Sequence, residues 1–175
     1  MFADPSHCIE QLDLQSGSRV ADLGAGTGAL SLLAARAVGD AGKVYAVEVQ
    51  KGLLERLKKE AREARVHNVE ALWGDVERVN GTHLGAASVD AVLAANILFQ
   101  VEDRNGFVAE TKRILKPGGK LLLVDWTDSF GGMGPHKDHV ITEQNGQALF
   151  EAAGFRFVKK INAGAHHYGI VFRKS

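Results

Sequence analysis

The chain has 175 residues with 21 acidic and 21 basic side chains, and 45% of its residues are apolar. That size and composition fit one folded unit able to bury about 70% of its unfolded surface. The balanced charge, with no Lys/Arg-rich run, argues against the electrostatic footprint of a dedicated nucleic-acid binder. A lone cysteine, Cys8, excludes an intramolecular disulfide framework or an all-cysteine metal site within the chain.

The opening stretch MFADPSHCIEQLDLQ has neither a basic segment nor a continuous apolar run. No secretory leader is expected from it, and no run approaches the ~18 apolar residues of a membrane span. These features and the single cysteine predict a soluble, cytoplasmic protein. Residues 1–17 are expected to form a short N-terminal cap, with the core over 18–175.

Short β-branched or apolar runs then alternate with helical stretches, the pattern of a parallel sheet covered by helices. Strands are predicted over 19–24 (RVADLG), 43–49 (KVYAVEV), 69–75 (VEALWGD), 89–96 (VDAVLAAN) and 119–126 (GKLLLVDW). Between the first two, residues 29–39 are rich in helix formers and stop at a glycine, completing a βαβ unit. Residues 51–66 place Leu53, Leu54 and Leu57 at helical spacing among charges, which predicts a surface helix. A further helix is predicted over 105–119, ended by Pro117 and two glycines.

After Trp126 the stretch TDSFGGMGPHKDHV is rich in glycine. Thr142 is suited to cap a helix that Gly154 ends. Two closing strands, RFVKKINA (156–163) and YGIVFRK (168–174), are close enough for a hairpin, so the last should run antiparallel to the rest. The predicted fold class is α/β: a Rossmann-like three-layer αβα sandwich with seven mostly parallel strands.

The stretch VADLGAGTGAL (20–30) carries the main functional signal. Glycines where a first parallel strand meets a helix allow a sharp turn and close approach of a ligand to the backbone. Gly24, Gly26 and Ala29 also satisfy the dinucleotide pattern, and Glu48 ends the second strand where a ribose-binding acid belongs, so spacing alone leaves a dinucleotide open.

Three features together resemble the class I S-adenosylmethionine-dependent methyltransferases. An acid, Asp22, stands two residues before the first glycine in DLGAGTG; Gly74-Asp75 ends the third strand; and LKPGGKLLLVDW leads into the fifth, with a terminal hairpin after it. The small single-domain members of the ubiquinone/menaquinone type are the most similar, and the resemblance spans about residues 18–173. It implies S-adenosyl-L-methionine as cofactor, S-adenosyl-L-homocysteine as product, and methyl transfer to a small molecule by in-line displacement.

The cofactor contacts so implied are Asp22, Gly24, Ala25, Gly26, Gly28, Glu48, Val49, Asp75, Val76 and Asn96. Glu48 is expected at the ribose hydroxyls, Asp75 at the adenine amino group with Val76 offering a backbone donor, and Asn96 near the methionine moiety and methyl. Many relatives carry a histidine a few residues after this last position, where this chain has Phe99 and Gln100.

No catalytic residue is assigned. The foremost candidates for a base are Asp128, His136 and His139, with Asp125, His166 and His167 also in or beside loops expected at the open end of the sheet. His136, Asp138 and His139 lack the spacing signature of a metal site, and none is expected. Two other readings stay open: an NAD-dependent oxidoreductase, and a non-catalytic S-adenosylmethionine-binding subunit that requires a partner. Oligomeric state and acceptor are not specified by these residues.

Overall fold

Continuous aliphatic runs produce the centre of the molecule. In the computed structural model, which describes residues 4–175, strands β1 (Arg19–Leu23), β4 (Val89–Ala95) and β5 (Leu115–Trp126) are buried along nearly their whole apolar lengths. Such strands must be covered on both faces, and here they are. Strands β2 (Lys43–Glu48), β3 (Val69–Trp73), β6 (Phe155–Ile161) and β7 (His167–Lys174) complete one sheet in the order β3-β2-β1-β4-β5-β7-β6. All pairings from β3 to β5 are parallel, and β7 is antiparallel to both of its neighbours.

Helices α1 (Pro5–Leu12) and α2 (Ala29–Val38) pack Cys8, Ile9, Leu12, Ala34 and Val38 against Val20, Leu122 and Val124 on one face. Helices α4 (Arg104–Ile114) and α5 (Glu143–Ala152) pack Phe107, Val108, Ile114 and Phe150 against Leu121, Leu123 and Phe172 on the other. Helix α3 (Lys51–Glu63) turns Leu54, Leu57 and Ala61 inward at helical spacing and leaves its charges outside. The edge strand β6 keeps Arg156, Lys159 and Lys160 exposed, which discourages further strand addition.

One local expectation is corrected. The helix predicted to reach residue 119 ends at Ile114, and Leu115 is already extended (φ −70°, ψ 136°). Pro117 excludes helical geometry at Lys116. The segment LKPGG instead bulges from the sheet, Leu115 pairing with Val89 and Lys120 with Ala91. The N-terminal cap expected over 1–17 contains helix α1, capped by the Asp4 carboxylate on the His7 amide and started by Pro5. Residues 1–3 of that cap lie outside the described residues.

Strand order reverses at β1. The path runs β1-β2-β3 outward on one side, then returns to β4 and β5 on the other. Open α/β sheets bind ligands in the crevice at such a switch point, beyond the carboxyl ends of the strands. The loops after β1 and β4 border that crevice.

Candidate functional site

The glycine turn is built by backbone bonds. Beyond Leu23, the amides of Gly24 and Ala25 both donate to the Val47 carbonyl, at 2.9 and 3.0 Å, which binds the turn to β2. Gly24 has φ +73°, and a Cβ there would overlap Ile97 Cδ1. Gly26 differs: its φ is +57°, but nothing lies within 4 Å of where its Cβ would stand. The missing side chain at Gly26 therefore leaves a space in the crevice rather than relieving a packing clash. Gly28 ends the turn and caps α2.

Two buried carboxylates flank this turn. Glu48, 6% exposed at the end of β2, accepts the Gly26 amide on Oε2 at 3.0 Å and the Gln50 amide on Oε1 at 2.9 Å. Asp22, 3% exposed, accepts the Ser31 hydroxyl on Oδ2 at 2.6 Å. Burial pushes the Asp22 carboxyl up to about 6; the Ser31 bond opposes this and the Glu48 charge adds to it. Ser31 is the contact that spacing did not disclose. Its signal is a small polar residue in the first turn of a helix whose other residues, Arg36 apart, are apolar.

The ends of β3 and β4 supply the remaining wall. Asp75 accepts the Glu77 amide on Oδ1 and Arg78 Nε on Oδ2, both at 3.0 Å, so its carboxylate caps the turn that follows β3. Val76 is partly buried beside it, whereas Val49 is exposed and its carbonyl accepts Trp73 Nε1 at 2.9 Å. Asn96 has φ +55°, donates its amide to the Val124 carbonyl at 2.8 Å, and accepts Gln100 Nε2 on its own carbonyl at 2.8 Å. Its side-chain Oδ1 is buried with no hydrogen-bond partner among the described residues.

These residues enclose two adjoining cavities. One, of about 240 Å³, is lined by Glu48, Val49, Leu53, Asp75, Val76, Ile97 and Val101 among others. The second, of about 280 Å³, is lined by Pro5, Cys8, Asp22, Ala25, Thr27, Leu30, Asn96 and Val124 among others. Gly24, Gly26 and Gln100 belong to both. Among the described residues the linings hold four acids, Asp22, Glu48, Asp75 and Glu77, and no Lys, Arg or His. The first is suited to a flat polar group between apolar side chains. The second is suited to a cation.

The base candidates separate into distinct places. Asp125, expected to face a substrate, is instead 1% exposed beneath the loop after β4, where it accepts the amides of Leu98 and Trp126, each at 2.8 Å. Burial pushes its carboxyl up to about 6 against those bonds. Asp128 pairs with His166 at 2.8 Å. His136 pairs with Asp138 at 3.2 Å on the surface, its ring 6.2 Å from that of His139. His167 is buried, its ring 4.3 Å from Trp126 and its Nδ1 bonded to the Ala165 carbonyl. Among the described residues no three His, Cys, Asp or Glu side chains gather as metal ligands.

Residues 21–123 match the methyltransferase-domain family. The aklanonic acid methyltransferase DauC of Streptomyces sp. (strain C5) is 32% identical over 108 residues, covering 62% of this chain and 48% of that protein. The ubiquinone/menaquinone biosynthesis C-methyltransferase UbiE of Shewanella halifaxensis is 29% identical over 126 residues, covering 68% of this chain and 47% of its own length. The chain thus spans about half the length of the curated relatives it matches.

Among solved structures, a SAM-dependent methyltransferase from Aquifex aeolicus superposes with a TM-score of 0.89 at 26% identity, covering 99% of this chain and 91% of its own. The glycine turn, the switch-point crevice and these likenesses converge: the chain belongs to the methyltransferase-domain family of class I S-adenosylmethionine-dependent methyltransferases.

Proposed function

We propose that the protein transfers a methyl group from S-adenosyl-L-methionine to a small-molecule acceptor. The observation that carries this reading is the acid-lined double cavity at the glycine turn, with no basic side chain among its described lining residues. A dinucleotide would bring a pyrophosphate here. Each carboxylate about 4 Å from that anion costs about 4 kcal/mol at an effective dielectric of 20. The amino end of α2 returns at most about 2 kcal/mol. A ligand bearing an ammonium and a sulfonium reverses the sign of the larger contribution.

The residues fit such a ligand. Glu48 uses one acceptor site on each oxygen for backbone amides, and its remaining lone pairs suit two ribose hydroxyls. Asp22 and the Asn96 Oδ1, which has no partner among the described residues, offer acceptors for an amino group. Asp75 and Val76 border the cavity assigned to the adenine. When bound, S-adenosylmethionine supplies a methyl carbon already activated by its sulfonium. The chain's work is then chiefly to orient an acceptor, and positioning of this kind is worth up to about 7–11 kcal/mol.

A small organic acceptor is supported by relatives named for quinone biosynthesis and for aklanonic acid. A cytoplasmic location is proposed with it: among the described residues no helix is long and apolar enough to cross a membrane. Incubation of the purified chain with methyl-labelled S-adenosylmethionine and hydroxylated aromatic acceptors tests the reading. Label is expected in the organic extract. Binding of cofactor with no transfer by the chain alone would favour a subunit that requires a partner.

A further inference from the structure

The two cavities at the glycine turn share three lining residues, Gly24, Gly26 and Gln100. Two of these have no side chain, and their amides are committed, Gly24 to the Val47 carbonyl at 2.9 Å and Gly26 to Glu48 Oε2 at 3.0 Å. The side chain that stands where the cavities meet is therefore that of Gln100.

This side chain is fixed at both ends. The loop after β4 closes one turn, in which the Gln100 and Val101 amides donate to the Ile97 carbonyl at 2.9 and 3.1 Å. Asp125 holds that turn from beneath through the Leu98 amide at 2.8 Å. At the far end, Gln100 Nε2 donates to the Asn96 carbonyl at 2.8 Å. A carbonyl only accepts, so the nitrogen of the Gln100 amide faces it and Oε1 is turned away. Among the described residues Oε1 accepts no hydrogen bond.

We propose that Gln100 recognises the sulfonium of S-adenosylmethionine, its Oε1 serving as a fixed dipole that favours the positive, methyl-bearing sulfur over the neutral sulfur of the product. This inference rests on the function proposed above. The nucleoside belongs to the cavity of Glu48 and Asp75, and the amino group to that of Asp22 and Asn96. The covalent order of the ligand, nucleoside to sulfur to amino-acid chain, then puts the sulfur at the junction.

The chemistry of the group explains an amide there. A sulfonium has no N–H or O–H to donate; its charge is shared by the carbons bonded to sulfur, which are met by oxygen through C–H···O contacts. A neutral amide oxygen makes such contacts without adding a fifth carboxylate to a lining that already holds Asp22, Glu48, Asp75 and Glu77. A further like charge would favour protonation of its neighbours and weaken the site. Because the Asn96 carbonyl already orients the Gln100 amide, no reorganisation is needed when the cofactor arrives. Once the methyl has left, the sulfur is neutral and this contact no longer holds the product.

Calorimetric titration of the purified chain with S-adenosylmethionine, sinefungin and S-adenosylhomocysteine tests the assignment. Sinefungin carries an amine-bearing carbon in place of the methylated sulfur, so it keeps a positive charge there without a transferable group. Gln100→Met keeps the length of the side chain and removes both polar atoms, and Gln100→Ala removes everything beyond Cβ. In both variants the affinities for S-adenosylmethionine and sinefungin should fall roughly 5- to 30-fold, with that for S-adenosylhomocysteine changing less than about twofold. Retained binding of S-adenosylhomocysteine shows the variants folded. A loss shared equally by all three ligands would make Gln100 a structural part of its loop, and unchanged affinity for the two charged ligands would mean that its oxygen does not meet the sulfur. Either result overturns the inference. Failure of the wild type to bind any of the three overturns the functional reading beneath it.

Discussion

Asp22→Asn separates the stability of the fold from the purpose of the site. The buried Asp22 carboxyl has its pKa raised from the ordinary 3.8 to about 6, first by burial and then by the Glu48 charge, against the Ser31 hydroxyl. A carboxyl raised in the folded state binds more protons folded than unfolded between those values. Its stabilising contribution is therefore present below about 3.8 and lost as pH rises through about 6. The difference is worth about 3 kcal/mol, at 1.36 kcal/mol for each tenfold change.

Asparagine removes that ionisation penalty but adds an amide N–H₂ that needs acceptors, at a cost of about 1 kcal/mol. The ligand-free variant should thus be about 2 kcal/mol more stable than the wild type near pH 7.5, and slightly less stable near pH 4. Urea unfolding of both proteins at the two pH values measures this, beside calorimetric titration with S-adenosylhomocysteine, whose affinity the variant should lose. A stability difference that is the same at both pH values would refute the reasoning.

Two further outcomes follow from the same electrostatics. Binding of S-adenosylhomocysteine near pH 6 should release protons, because an ammonium beside Asp22 favours its ionised form. Titration in buffers of different ionisation enthalpy would show it, and proton uptake would contradict it. Glu110 is fully buried and accepts the Asn80 and Thr82 amides, the Thr82 hydroxyl and the Arg113 guanidinium. Burial pushes its carboxyl up, but these bonds outweigh burial and hold it at about 2. Its stabilisation should be present above pH 4.5 and lost as pH falls toward 2. Glu110→Gln should cost roughly 3–5 kcal/mol by urea unfolding, and a loss under about 1 kcal/mol would show that the network is not holding the connection after β3.

Much of this architecture was legible because it depends on local rules. A continuous aliphatic run marks a strand covered on both faces, and β1, β2, β4 and the closing hairpin lie within a residue or two of their predicted bounds. The glycine turn was legible because backbone geometry restricts residue type there. Contacts made by tertiary packing were not. The Ser31–Asp22 bond spans nine residues, and nothing in the local pattern directs that hydroxyl toward that carboxylate.

Asp125 illustrates the opposite error. Beside a loop at the open end of the sheet it reads as a candidate base facing the substrate, but the loop after β4 folds over it and supplies backbone donors. The LKPGG segment shows competition between two stop signals, in which proline acts on the residue before it and ends the helix earlier than the glycines would. Asp128 and His166 are 38 residues apart, and only the antiparallel pairing of β7 with β5 brings them together.

The most direct test of the central claim is calorimetric titration of the chain with S-adenosylhomocysteine, run beside NAD and repeated on Glu48→Ala. Glu48 lies between the glycine turn and the cavity assigned to the nucleoside, bonded to the amides of Gly26 and Gln50. The account predicts saturable binding of S-adenosylhomocysteine that Glu48→Ala weakens, and no comparable binding of NAD. Saturable binding of NAD alone would mean that the acid-lined crevice holds an anionic dinucleotide, and the proposed function would be wrong.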